Sequence, residues 1–269
     1  MDDHLLVAVS PRHSVRIAEE YLELVQKPRN DDFVVRTIAR REANGLPLMS
    51  AEIVIAGGAT REKFPLAQTF PLHFRKTYFP GRLHGDPSRE FELQNAASEL
   101  IRVSPAIGYD DSSFRACLVP GTPFEQLSPF QYEPEEQPLR RAQKLPLVTA
   151  AGLWRLSLQA FEVLGALHRG GLVHGDAVLQ NFVVCPSPLE IVPIDFEGSA
   201  RRTELDETEW QKRVQGDLDP LLLHAAFVLC SLGRQPEPLA EATLARLEHL
   251  VRSPERLRRE IERRSSLDA

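Results

Sequence analysis

Two short stretches of this chain carry residues whose types and spacing suit phosphoryl chemistry. The first is His174-Gly175-Asp176-Ala177-Val178-Leu179-Gln180-Asn181; the second, fourteen residues past Asn181, is Asp195-Phe196-Glu197-Gly198. Transfer of a phosphoryl group from a metal–nucleotide needs one carboxylate to receive or orient the acceptor hydroxyl. It also needs an amide oxygen and a second carboxylate to hold Mg²⁺, a hard ion that prefers oxygen ligands. Asp176, Asn181 and Asp195 supply those groups in that order. With 8 His in the chain and Asn scarcer still, a chance His-x-Asp-x-x-x-x-Asn is expected at below roughly 1 in 100. The bland alternative is that Asp176 and Asn181 cap a turn and His174 is a core histidine.

Such groups need strands and helices to place them. Val15, Ala18, Tyr21, Leu22 and Val25 recur at helical spacing over 14–26, with Ser14 as N-cap. Asp32–Ala39, Ala51–Gly58 and Leu72–Phe79 read as strands, with a hairpin turn at Ala43-Asn44-Gly45. Asp86-Pro87 opens a helix that runs through Glu90–Val103, Asp as N-cap and Pro at the first helical position. Phe114–Val119 is a strand that meets Pro120-Gly121, and Ser128–Pro146 is a Pro- and Glu-rich surface connection. Beyond it helices dominate: Leu147–Arg169, the nearly apolar Asp217–Leu232, and two amphipathic segments, Pro238–Val251 and Pro254–Arg264. The expected class is α+β, with a sheet-rich part over 1–119 and a helical part over 120–269. A cleft between two such lobes is a natural ligand site.

His174-Gly175-Asp176 with Asn181 matches the pattern His-x-Asp-x-x-x-x-Asn, and Asp195-Phe196-Glu197 matches Asp-Phe-Gly in two positions of three. In these motifs the chain resembles the protein kinase-like superfamily, loosely from Ala51 and more specifically towards Leu232. The resemblance implies a two-lobed protein kinase-like fold that uses ATP and Mg²⁺, with Asp176 catalytic and Asn181 and Asp195 as metal ligands. Lys76 resembles the third-strand lysine that holds the α- and β-phosphates, while Arg75 points to the other face. Its glutamate partner is Glu90 or Glu92. Glu90 shares the stripe of Leu93, Ala97, Leu100 and Ile101; Glu92 starts the poorer stripe of Asn95, Ala96 and Glu99. Gly57-Gly58 is the candidate phosphate-covering loop, although Gly-x-Gly-x-x-Gly is absent, and Asn44-Gly45 is the rival turn. Val119 and Gly121 fall where the superfamily's hinge contacts adenine through its main chain. Asp217 resembles the aspartate that braces the catalytic loop from below.

Two departures bear on the acceptor. Gly175 stands where eukaryotic-type protein kinases have Arg, and no Ala-Pro-Glu lies between Asp195 and Asp217. In this the chain is similar to aminoglycoside, choline-type and lipopolysaccharide-core kinases, to maltokinases with their Asp-Phe-Glu-Gly, and to minimal atypical protein kinases. Three readings follow: a kinase acting on a small-molecule hydroxyl; a minimal serine/threonine protein kinase, with Ser199, Thr203 and Thr208 open to self-modification; and a nucleotide-binding pseudokinase scaffold. Acceptor walls are expected in Ser199–Gln215 and Ser128–Pro146, where carboxylates are in excess and suit a cationic or polyhydroxylated acceptor.

Composition narrows the partners. With Lys plus Arg 32 against Asp plus Glu 38, the net charge is −6, which offers no general electrostatic case for nucleic acid or an anionic membrane. The longest mostly apolar run, Leu221–Leu232, is too short to span a bilayer. Cys117, Cys185 and Cys230 are odd in number and far apart, as expected of buried thiols in a reducing cytoplasm. The N-terminus shows no basic n-region of a secretory signal.

Overall fold

Strand-forming side chains between Phe33 and Ile55 fold back on themselves as a long hairpin, β1 (Phe33–Ala43) and β2 (Leu46–Ile55). The computed structural model describes residues 8–9, 16–17, 19–43, 46–79, 85–127, 150–186 and 188–232. The hairpin turn at Asn44-Gly45, the Ser128–Pro146 connection and the two C-terminal amphipathic segments lie outside the described residues. With β3 (Leu72–Tyr78), β4 (Ala106–Tyr109) and β5 (Ser113–Cys117), the hairpin builds a five-stranded antiparallel sheet in the order β1-β2-β3-β5-β4. Strand β3 is central, and Lys76 lies across from Ala51 on one side and Phe114 on the other.

The chain divides into two compact units. The first comprises Met1–Thr122 and also Val192–Ser199; the second comprises Pro123–Ile191 and Ala200–Ala269. The segment around Asp195 belongs with the first unit, where Asp195 and Glu197 bind Lys76. The architecture is α+β, sheet-rich in the N-terminal region and helical in the C-terminal part.

In the first unit a short helix, α1 (Leu22–Gln26), precedes the sheet. Nearby Ile17 and Tyr21 pack on Ile53, with Val35, Ile38 and Leu72 around them. Between β2 and β3, where the glycine pair at 57–58 is the candidate phosphate-covering loop, come two short helices, α2 (Gly58–Lys63) and α3 (Leu66–Thr69). Phe64 and Ala67 pack there against Ala56, Ile107 and Cys117. Helix α4 (Pro87–Ser98) starts as expected, with the Asp86 side chain accepting from Ser88 and Arg89 N–H. It stops at Ser98 rather than Val103. Pro105 disfavours a helical Ser104, and the chain turns there to enter β4.

Period-two alternation gives the two faces of β3 different chemistry. Phe74, Lys76 and Tyr78 share one face. His73 and Arg75 lie on the other, in a polar network tied by Asp32. Its carboxylate accepts from Gly57 N–H at 3.0 Å, Arg75 at 2.9 Å and Arg115 at 2.7 Å, while Arg75 also pairs with Glu52 at 2.6 Å. Burial raises the Asp32 carboxyl, but the Arg115 guanidinium and the Thr60 and Gly57 hydrogen bonds prevail and hold it at about 2. His73 is fully buried, and its loss of hydration beside Arg115 pushes it down to about 4.

In the second unit α5 (Phe124–Leu127) and the long helix α6 (Ala150–Arg169) lead to a two-residue strand, β6 (Leu172–Val173). A strand–turn–strand, β7 (Phe182–Pro186) and β8 (Leu189–Pro193), carries the chain out of this unit, and it re-enters at β9 (Ala200–Arg201), antiparallel to β6. Helix α7 runs from Glu207 to Leu232, beginning ten residues before the expected start at Asp217. Asp206 caps it by accepting from Glu209 N–H, and Glu207 and Glu209 face the positive end of its dipole. Pro220 sits inside this helix. Leu156, Phe161 and Leu164 of α6 and Leu221, Ala225 and Val228 of α7 are buried. Phe124 meets His224 edge-on, and burial pushes His224 down to about 4.

These groups set an acid limit on stability. A histidine whose folded pKa is depressed resists protonation only while folded, so His73 and His224 withdraw stability as pH falls from about 6.5 to 4. Asp32, lowered in the fold, contributes above its unfolded value of 3.8, and that contribution is lost as pH falls towards 2. Melting temperatures measured from pH 8 to pH 3 should fall on the acid side. His73→Gln and His224→Gln should flatten the upper part of the fall and Asp32→Asn the lower. A wild-type midpoint that is level from pH 7 to pH 4 would contradict the histidine assignment.

Candidate active site

In the first unit, Lys76 is fully buried and its ammonium is ringed by carboxylates: Glu90 Oε1 at 3.3 Å, Asp195 Oδ1 at 2.8 Å and Glu197 Oε2 at 2.6 Å. Burial alone would lower the pKa of Lys76, but Asp195 and then Glu90 outweigh it and hold the amine well above its ordinary range. Glu90 is the glutamate that meets the lysine; Glu92 lies on the exposed side of α4. Two residue steps apart, they are turned about 200° from one another around the helix, so only one can face the sheet. Burial pushes the Glu90 carboxyl up to about 7, against the pull of Lys76.

Asp195 has φ of 65°, and it is the only non-glycine residue with positive φ among the described residues. A side chain held there costs about 1–3 kcal/mol, which the short ion pair to Lys76 offsets. Glu197 occupies the position where the resembling family has glycine, and its carboxylate makes the shortest of the three contacts to Lys76. Sequence reasoning singled out Glu197 only for the glycine it replaces. Nothing in the spacing announces its lysine contact. A cavity of about 10 Å³ is lined in part by Lys76, Gln94, Ser104, Phe114 and Ala116, with room for about one water molecule.

Gly57 and Gly58 lie between β2 and β3, at the start of α2. Their N–H groups are used within the protein: Gly57 donates to Asp32 Oδ1 and Gly58 to the Arg29 carbonyl at 2.6 Å. They are donors to this chain rather than donors left for a phosphate, and they hold the segment before β1 against α2. Val119 pairs in parallel with Ala8, and Pro120 with Val9, so part of the expected adenine-contacting main chain meets an N-terminal strand. Gly121 is buried immediately after.

In the second unit, Asp217 holds the loop that carries Asp176. Although mid-helix, its carboxylate accepts from His174 N–H and Gly175 N–H, both at 2.8 Å, and lies 2.9 Å from His168 Nε2. Gly175 has φ of 83°, a left-handed conformation that disfavours the arginine usual here in eukaryotic-type protein kinases. The buried His174 ring stacks on Phe182, with the two planes inclined by 26°. Asp176 is exposed, and the Asn181 Nδ2 donates to both its carbonyl and its Oδ2 at 2.9 Å. That bond turns the amide oxygen of Asn181 away from Asp176.

Asp195 and Asn181 each carry an oxygen donor of the kind Mg²⁺ accepts. Among the described residues, no group of three or more His, Cys, Asp or Glu side chains is arranged to cage a metal. A carboxylate and an amide oxygen, completed by phosphate oxygens and water, are what Mg²⁺ accepts. The expected acceptor wall is built differently from a free acidic surface. Glu204 accepts from Arg201 N–H, Asp206 caps α7 and Glu207 pairs with Arg202 at 3.0 Å. No helix among the described residues is long and apolar enough to cross a membrane.

No family model and no curated protein matches the chain. Among solved structures, a kinase of the Cydia pomonella granulovirus, PK-1, matches with a TM-score of 0.42 and 17% identity over 70% of this chain. The chain spans about 60% of that kinase's length.

Proposed function

We propose that this chain is an ATP-dependent kinase that transfers the γ-phosphate of Mg–ATP to a hydroxyl of a small molecule. The observation that supports this reading most is the gathering of Lys76, Glu90 and Asp195 in the first unit. A buried lysine held by a helix glutamate and by the aspartate of an Asp-Phe-Glu is costly in an ordinary core, and it has a use as a phosphate anchor. The second unit supports the reading independently, by a loop in which Asp217 fixes the backbone and Asn181 orients Asp176.

In this mechanism Lys76 binds phosphate oxygens, with Glu90 keeping its ammonium in place. Asp195 and Asn181 are the residues that, by the family resemblance, would hold Mg²⁺, and the ion would supply neutralisation of phosphate charge. Asp176 accepts the proton of the attacking hydroxyl and aims its oxygen at phosphorus. Val119 and Gly121 offer main-chain groups to adenine. The truncated interval between Asp195 and Asp217 leaves little chain for docking a peptide, which favours a small acceptor over the protein-kinase alternative.

A second reading, a nucleotide-binding pseudokinase, draws on Glu197, which occupies Lys76 at 2.6 Å. Thermal denaturation with ATP tests both. At ten times its dissociation constant, ATP should add about 1.4 kcal/mol of stability, a shift of about 3–5 °C for a chain of this size. The shift should be larger with Mg²⁺ than with EDTA. Absence of any shift at millimolar nucleotide would remove both readings. A shift without phosphoryl transfer to any metabolite or protein acceptor would select the second.

A further inference from the structure

Tyr78 lies two residues beyond Lys76 on the same face of β3, and phosphoryl transfer makes no general demand for a phenol there. Its hydroxyl donates to Glu90 Oε2, while Lys76 Nζ takes the other oxygen, Oε1, at 3.3 Å. The ring also flanks the ammonium, with Nζ 5.6 Å from its centroid. Both Tyr78 and Glu90 are buried, at 6% and 2% exposure. The backbone before α4 closes over the ring. Gly85 has φ of +88°, and a Cβ there would fall 1.8 Å from a Tyr78 ring carbon. The ring is therefore confined by the chain that leads into the cap of the helix carrying Glu90.

Glu90 differs from the other two partners of Lys76. Asp195 and Glu197 stand on the Val192–Ser199 segment, and under the proposed function Asp195 also serves a metal. Any phosphate that reaches Lys76 must displace carboxylates from it. Glu90 is the partner on the helix, and its contact to Lys76 is the longest of the three. One long ion pair fixes a three-torsion glutamate poorly; a second bond from a confined phenol fixes both oxygens. We propose that Tyr78 is a positioning residue that holds Glu90 turned towards Lys76, so that the ammonium keeps its anchor when phosphate replaces the other carboxylates. The inference rests on the proposed function.

The test is equilibrium binding of Mg–ATP and of adenosine to wild type, Tyr78→Phe, Glu90→Gln and the double variant. A hydrogen bond to a carboxylate is among the stronger ones, so Tyr78→Phe should weaken ATP binding by about tenfold or more. Adenosine, which has no phosphate, should bind within about twofold of wild type, because the aid given by Tyr78 acts only through the phosphate anchor. In the Glu90→Gln background the additional loss of ATP affinity should shrink below about twofold. Tyr78→Met repeats the test with another apolar side chain should the phenylalanine variant fail to fold. Equal losses for ATP and adenosine, or a full loss persisting without Glu90, would overturn the positioning role and leave the kinase reading intact. Wild-type protein that binds no ATP would overturn the kinase reading and this inference with it.

Discussion

Asp176→Asn should leave nucleotide affinity unchanged and slow phosphoryl transfer by roughly 10²–10⁴-fold, the usual reach of a general base. The asparagine keeps the shape and one oxygen of the aspartate, so the bond from Asn181 Nδ2 can persist. The backbone beneath it is held by Asp217 through His174 and Gly175 N–H, independently of the side chain at 176. The substitution thus removes the proton acceptor without releasing the loop. Steady-state rates with ATP, compared with ATP binding by calorimetry, read the two effects separately. Transfer at the wild-type rate would reassign the catalytic carboxylate.

Lys76→Met should be the most damaging single change to the first unit. Methionine fills a similar volume but leaves Glu90, Asp195 and Glu197 gathered around an apolar side chain. Removing one partner of a buried ion pair costs about 3–5 kcal/mol, because the remaining charge is left uncompensated. Here the carboxylates outnumber the cation three to one. The melting temperature should fall by several degrees, and the ATP-induced shift should vanish with it. Glu90→Gln, which removes one carboxylate and keeps the lysine, should cost less. If Lys76→Met melted at the wild-type temperature and still responded to ATP, the lysine would be neither the phosphate anchor nor the keystone of this cluster.

Local chemistry made part of this protein readable in advance. Period-two alternation put Lys76 and Arg75 on opposite faces of a strand, and the structure has them there, Lys76 on Glu90 and Arg75 on Glu52 and Asp32. The apolar stripe favoured Glu90 without excluding Glu92, and the structure has Glu90 on Lys76, because a helix of 3.6 residues per turn can bury only one of them. The His174–Asn181 motif carries its own local hydrogen bonds, whereas the Asp217 brace is legible only through the family resemblance.

What the sequence could not decide was set by contacts between residues far apart in the chain. Asp32 meets Arg75 and Arg115 across separations of 43 and 83 residues, and Gly57 N–H is drawn into that network. Val192–Ser199 joins the first unit because Asp195, 119 residues beyond Lys76, is bound by it. The start of α7 depends on the Asp206 cap, which outweighs the glycine and proline within the helix. Periodicity and short motifs report a residue's face and its near neighbours. Which distant charge a buried cation will take as its partner is decided by burial itself, where an unpaired charge is too costly to leave.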